Sequence, residues 1–239
     1  MQRMLTIARR ELCSLYFSPI AYVVLGLFAL GTAMIFSLQF RPGEPASLRM
    51  TLSGLIWLMI FVVPAISMRL LSEEFRTGTI ELLMTSPVSD AIVVLGKWLG
   101  ALGFFCTLLV PLLVLALVIE FNGTPDWGPM ISGLIGLVLV GGLYLAIGTF
   151  ASALTQNQII AFIVTVFLIC LITIAMFFLP RAGWVGPNLS RAFLYINVNE
   201  RFDTFNKGLL ALPDVAYFAS GVALFLFLAV KMLESKRWR

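Results

Sequence analysis

The chain has 239 residues, 60% of them hydrophobic and 12% charged, with a mean hydropathy of +1.01. Soluble domains carry about 25% charged residues, so this is the composition of an integral membrane protein. The formal charge of +4 is therefore read by position, as a guide to orientation rather than as a nucleic-acid footprint, and the lack of any histidine excludes an imidazole base or a His-rich metal site.

In the opening stretch Leu5, Ala8, Leu12 and Leu15 recur at three- and four-residue steps, while Arg3, Arg9 and Arg10 fall elsewhere on the wheel. The pattern predicts a helix within 1–19 lying in the membrane interface, its basic face toward anionic lipid; the alternative is a plain extension of the first span. The first apolar run, Ile20 to Phe40, exceeds the roughly 7–15-residue core of a signal peptide and has no obvious cleavage site, so it is expected to remain as a span.

A helix rises ~1.5 Å per residue, so a hydrocarbon core of ~30 Å needs about 20 apolar residues. Six runs qualify, at about 20–40, 52–71, 98–119, 130–154, 159–179 and 215–233. None alternates in polarity as an outer-membrane strand does. The expected fold is one all-α transmembrane domain over 1–239, with six transmembrane helices. Pro64 and Pro111 fall inside the second and third runs, where each should kink the helix as a hinge or a static bend. Cys13, Cys106 and Cys170 lie in or beside predicted helices and outline no disulfide framework.

Between the second and third runs stands SEEFRTGTIELLMTSPVSDAIVVLGKW, residues 72–98. Holding Glu73, Glu74, Arg76 and Glu81 in lipid would cost on the order of 10 kcal/mol, so the segment must leave the membrane. Ile80, Leu83 and Met84 form an apolar stripe, Ser86 and Pro87 break it, and Ser89 and Asp90 open a new helix into the third span. The reading is helix, break, helix: a knob for a partner's pocket, or a connector resting on the interface.

The fourth run carries small residues four apart: Ser132 with Gly136, Gly142 with Ala146, and Gly148 with Ser152. Such pairs let helix backbones approach closely in lipid; packing is the preferred reading, and lining a substrate path the other. In the connection 180–214, Phe202, Phe205 and Leu209 keep helical spacing after an Asn199 cap, with Arg201, Asp203 and Lys207 interleaved. A short amphipathic helix against the outer membrane surface is expected there.

Six spans put both termini on one side. Arg3, Arg9, Arg10, Arg69, Arg76, Lys97, Lys231, Lys236, Arg237 and Arg239 fall on that side, against Arg41, Arg49, Arg181, Arg191, Arg201 and Lys207 opposite. Both termini and 72–98 are thus expected to be cytoplasmic, with 180–214 outside. Arg69, Lys97 and Lys231, near span ends, are expected to snorkel to water.

The chain has no GxxxxGK[ST] loop to cradle phosphates, since Gly96-Lys97 is followed by Trp98. An intramembrane enzyme would need a nucleophile with a base or paired carboxylates, which these spans do not offer. A membrane anchor that recruits a soluble partner is a reading that remains open.

EEFRTGTIELLMTSPVSDAIVVLGKWLG resembles the segment between the second and third spans of ABC-2 type permeases, where an arginine, GT, an acidic residue, LL, SPV and GK recur in order. The likeness continues in ARRELCSLYFSPIAYVV and FDTFNKGLLALPDVAYF, and is nearest to the gliding-motility-associated branch, related to permeases of copper-enzyme maturation. The resemblance implies that residues 73–86 are a coupling helix docking in a cytosolic ATPase subunit, which binds the ATP and Mg²⁺ while this chain holds no cofactor. Glu73, Glu74, Arg76, Thr77, Gly78, Thr79, Glu81, Leu82 and Leu83 would make the knob, Pro87 would end it, and Gly96 and Lys97 would mark the return to the membrane. The opening helix, with Arg9, Arg10 and Glu11, would be a connecting helix at the same surface. A second six-span permease subunit, identical or related, is implied, in a bacterial cytoplasmic membrane. The middles of the spans lack charge, which disfavours a small ion as cargo and leaves an amphipathic or lipid-linked molecule, or force passed to an extracytoplasmic partner.

Overall fold

The structure, a computed structural model, describes residues 2–39, 47–79, 89–122, 126–181 and 185–237. Among these residues it is all helical, and six helices are long and apolar enough to cross a membrane: Pro19–Leu38, Arg49–Thr77, Asp90–Phe121, Trp127–Leu154, Gln158–Arg181 and Leu212–Lys236. The elements in chain order are α1 (Gln2–Tyr16), α2 (Pro19–Gln39), α3 (Arg49–Ser67), α4 (Ser72–Thr77), α5 (Asp90–Leu108), α6 (Val110–Asn122), α7 (Trp127–Leu154), α8 (Gln158–Cys170), α9 (Pro187–Ile196), α10 (Val198–Asn206) and α11 (Leu212–Arg237). After α8 the helix continues as a π-helical turn, Leu171–Ala175, and short turns to Arg181.

The bundle is built around α7, with 72% of its span buried against 22% for α2 and 17% for α11. Small residues explain why α7 holds the centre, because helices without side-chain bulk pack closest in lipid. A Cβ on Gly136 would lie 2.9 Å from Phe205 Cβ, and one on Gly148 would strike the Ser67 side chain. Gly142 instead offers its carbonyl to Trp98 Nε1 at 3.0 Å. The outer helices turn Leu27, Leu30, Phe167 and Phe227 outward, an arrangement suited to lipid rather than water.

The third span begins at Asp90, eight residues before the expected Trp98, so Lys97 lies well inside a helix. It breaks at Leu109, where α6 starts anew with Pro111 in its first turn, as a residue without an N–H requires. Pro64 sits within α3 without dividing it.

The inward face of α1 is Met4, Ile7, Ala8, Glu11, Leu12 and Leu15, whereas the expected stripe residue Leu5 is 58% exposed. That face lies on α5 rather than on lipid, seated by glycines one turn apart: Cβ atoms on Gly96 and Gly100 would come within 2.8 Å of Ile7 Cγ2 and 2.7 Å of the Ala8 carbonyl.

The 180–214 connection holds two helices where one was expected. The helix containing Phe202 and Phe205 is capped two residues earlier than predicted, by Asn197, whose Oδ1 accepts from Asn199 N at 2.9 Å. Leu209 lies beyond it, after Gly208 at φ 90°. Phe202 and Phe205 are fully buried between α3 and α7, because Gly136 leaves room for them. This end is tied by Arg201, which reaches Asp214 at 2.8 Å and stacks over Tyr195 at 4.0 Å.

Candidate functional site

At the end of the bundle where α1, α4, α5 and the last turns of α7 and α11 meet, three charged residues of the 72–98 segment, Glu74, Asp90 and Lys97, are buried. Lys97 is 3% exposed, and its ammonium lies 3.0 Å from Glu11 Oε2 and 2.9 Å from Glu74 Oε1. Three helices are therefore joined at one atom: α1 through Glu11, α4 through Glu74, and α5 through the lysine itself. The expected snorkelling is overturned for Lys97, which is buried and finds its counter-charges inside the protein. Lys231 keeps the expected exposure and pairs with Glu234 at 2.7 Å.

Two carboxylates share one cation, so the cluster carries a formal charge of −1, and Glu74 Oε2 accepts no hydrogen bond among the described residues. Buried charges are tolerated only when paired, since removing one partner strands the others. Beside it Arg69 donates through Nη2 to the Ser14 carbonyl at 3.0 Å and the Ser14 hydroxyl at 3.3 Å, binding the end of α3 to α1. Its Nε lies 4.0 Å from Glu73 Oε2.

The first turn of α4 is held by another helix. Leu71 N and Ser72 N donate to Ser152 Oγ on α7 at 3.0 and 2.9 Å, and that hydroxyl donates to the Met68 carbonyl at 3.0 Å. Helix starts leave orphan N–H groups, and here Ser152 performs the capping that no α4 neighbour supplies. Ser152→Ala is expected to leave two buried donors unpaired, at about 1–3 kcal/mol each. Hydrogen exchange at Leu71 and Ser72 should rise by at least about tenfold, and unchanged exchange there would assign the capping elsewhere.

From α11, Lys236 sits 3.8 Å over the Phe75 ring, so the last helix also touches α4. The exposed face left on α4 consists of Arg76 and Thr77, with Glu73 half buried. Thr77 Oγ1 bonds back to the Glu73 carbonyl at 2.9 Å.

The expected helix over 73–86 is interrupted, and its residues 80–86 lie outside the described residues. α4 ends at Thr77, because Gly78 takes φ 71° as its C-terminal cap, a conformation costly for any residue with a Cβ. Thr79 is an exposed turn residue. Glu81, Leu82, Leu83 and Pro87 lie outside the described residues. In α1, Arg9 and Arg10 are exposed whereas Glu11 is drawn into the lysine cluster. Gly136, Gly142 and Gly148 belong to the packing of α7, away from this junction or, for Gly148, one turn below Ser152.

A family model described as ABC-2 family transporter protein matches residues 36–230. The matched range contains α4, Lys97 and Ser152 and begins after α1. No curated protein matches the chain.

Proposed function

The chain belongs to the ABC-2 family of transporter proteins, and from that premise we propose that it is a permease subunit whose α1–α4–α5 junction receives the movements of a cytosolic ATPase. Permeases of this family work with ATPase subunits and dimerise. The observation that carries the reading is the burial of Lys97 between Glu11 and Glu74. A connector that merely joined two spans has no need to lock Glu74 to a lysine that also holds Glu11 of α1, 86 residues from that lysine in sequence.

In this reading α4, with Arg76, Thr77, Gly78 and Thr79 exposed, enters a groove of the ATPase together with Glu81, Leu82 and Leu83 up to Pro87. The exposed Arg9 and Arg10 of α1 flank the contact, and an acidic rim on the partner would suit them. ATP and Mg²⁺ are bound by that partner. When two ATPase subunits close, the paired charges make α1, α4 and α5 move as one body, since separating them would strand a buried charge. The chain acts with a second six-span subunit in a bacterial cytoplasmic membrane, both termini and α4 facing the cytosol and α9–α10 facing outward. The output is export of an amphipathic or lipid-linked molecule, or force delivered to an extracytoplasmic partner.

The test is affinity purification of the tagged chain in mild detergent. The expected result is an ATPase copurifying with a second six-span subunit, and hydrolysis in the eluate. Charge reversal at Glu73→Lys and Arg76→Glu should lower the ATPase recovered by at least about tenfold while the permease still folds. Full recovery with unchanged hydrolysis would remove α4 as the docking element, and a chain purified alone would favour a membrane anchor.

A further inference from the structure

The central helix is hydrogen-bonded to the elements at both ends of the molecule. At the junction end of α7, Ser152 holds the start of α4; at the other, Ser132 donates to the Phe205 carbonyl of α10 at 2.6 Å. These serines are separated by 20 residues of unbroken helix, ~30 Å at 1.5 Å per residue. Two parallel routes are interrupted, since α5 gives way to α6 at Leu109 and α3 carries Pro64, which removes one of its backbone hydrogen bonds. α11 is unbroken and holds Arg201 of α10 through Asp214, but it meets α4 through the long Lys236 side chain over the Phe75 ring rather than through a hydrogen bond to the α4 backbone.

Midway along α7 the Tyr144 hydroxyl meets Thr173 Oγ1 at 2.6 Å, both residues fully buried. Thr173 lies in the π-helical turn Leu171–Ala175, an arrangement that interrupts the ordinary ladder and recurs at functional sites. Carbonyls in and after this turn accept from the start of α10: Thr173 O from Asn199 Nδ2 at 3.4 Å, and Met176 O from Asn197 Nδ2 at 3.1 Å. α7 therefore grips α10 twice, directly through Ser132 and indirectly through Tyr144 and the π turn.

We propose that α7 is the rod that carries movement of α4 across the membrane to α10, with Ser132 and Tyr144 as positioning residues and the π turn as the element with two arrangements. Returning the turn to α-helical register rotates the segment beyond it by about 100°. That rotation separates Thr173 from Tyr144 and both carbonyls from Asn197 and Asn199, releasing α10 from its seat. The proposal rests on the reading that α4 docks an ATPase.

The experiment uses the purified complex with its ATPase in lipid nanodiscs, reading hydrogen exchange over 198–206 without nucleotide and after trapping with ADP and vanadate. In the wild type the trapped state should change exchange there by at least about tenfold, within the usual span of allosteric coupling. Ser132→Ala, and independently Tyr144→Phe, should reduce the change to less than about twofold with hydrolysis retained, and Ser132→Thr should restore it. Asn206→Ala, which cuts α10 from Arg49 O and Ser53 Oγ of α3, should leave it intact. Loss with Asn206→Ala but not with Ser132→Ala would assign the route to α3 and overturn the proposal, as would a wild type with no nucleotide-linked change. Failure of the functional reading shows earlier and separately, as absence of an ATPase from the purified complex.

Discussion

Lys97→Ala is expected to destabilise the chain by about 3–5 kcal/mol, because it takes from two buried carboxylates the cation they share. Glu11 and Glu74 are 12% and 11% exposed at their side chains, so neither can regain full hydration in place. Thermal unfolding in detergent, followed by tryptophan fluorescence, should show the loss. A triple variant, Glu11→Leu, Glu74→Leu and Lys97→Met, removes the charges together, and buried ion clusters replaced by apolar residues of similar size are often neutral in stability. It is expected to recover most of the midpoint while still losing ATPase stimulation. If the triple variant recovered stimulation as well, the cluster would be a matter of stability alone.

Gly100→Val is the second large effect, and its cause is backbone rather than side chain. A Cβ at this position would stand 2.7 Å from the Ala8 carbonyl and 2.8 Å from Glu11 Cβ, and a main-chain atom cannot rotate away. α1 must lift off α5, taking Glu11 from Lys97, so overpacking of about 1–3 kcal/mol is added to a broken buried pair. Gly103→Ala is the control: its Cβ would meet only Leu12 Cδ1 at 3.5 Å, ordinary contact. Protease cleavage after Arg9 and Arg10 should accelerate by at least about tenfold in Gly100→Val and stay at the wild-type rate in Gly103→Ala. Equal cleavage rates would mean that α1 is held by something other than its glycine seat.

Six spans were legible because a span needs only about 20 apolar residues, a property of composition and length. Their ends were less so, and the third shows why: Lys97 interrupts an apolar run, so a reading by hydropathy starts the helix after it. Whether such a charge marks a boundary or a buried pair depends on partners elsewhere in the chain, and Glu11 is 86 residues away. The cap of α10 was misplaced for a local reason, since Asn197 and Asn199 are chemically equivalent candidates and only the packing of α10 on the π turn separates them. α9 escaped notice although Leu189, Phe193 and Ile196 keep helical spacing, and none of its residues is buried in the bundle.

A usable signal was nevertheless present for the seat of α1. Gly96, Gly100 and Gly103 repeat at four and three residues on one face of α5, the same small-residue spacing that marked α7. The same spacing marked Ser152 as a packing residue but not its capping role, which depends on where the backbone of α4 begins. The break at Gly78 was readable in principle, as a glycine following a short acidic helix start invites a left-handed cap.

The central claim is that α4 is the surface an ATPase grips, and site-specific photocrosslinking in intact membranes tests it most directly. A photoreactive residue in place of Arg76 is expected to capture the ATPase subunit, whereas one in place of Tyr195, exposed at the opposite end, should capture none. Capture from Tyr195, or an Arg76 probe that yields no ATPase adduct in membranes containing the active complex, would contradict the account.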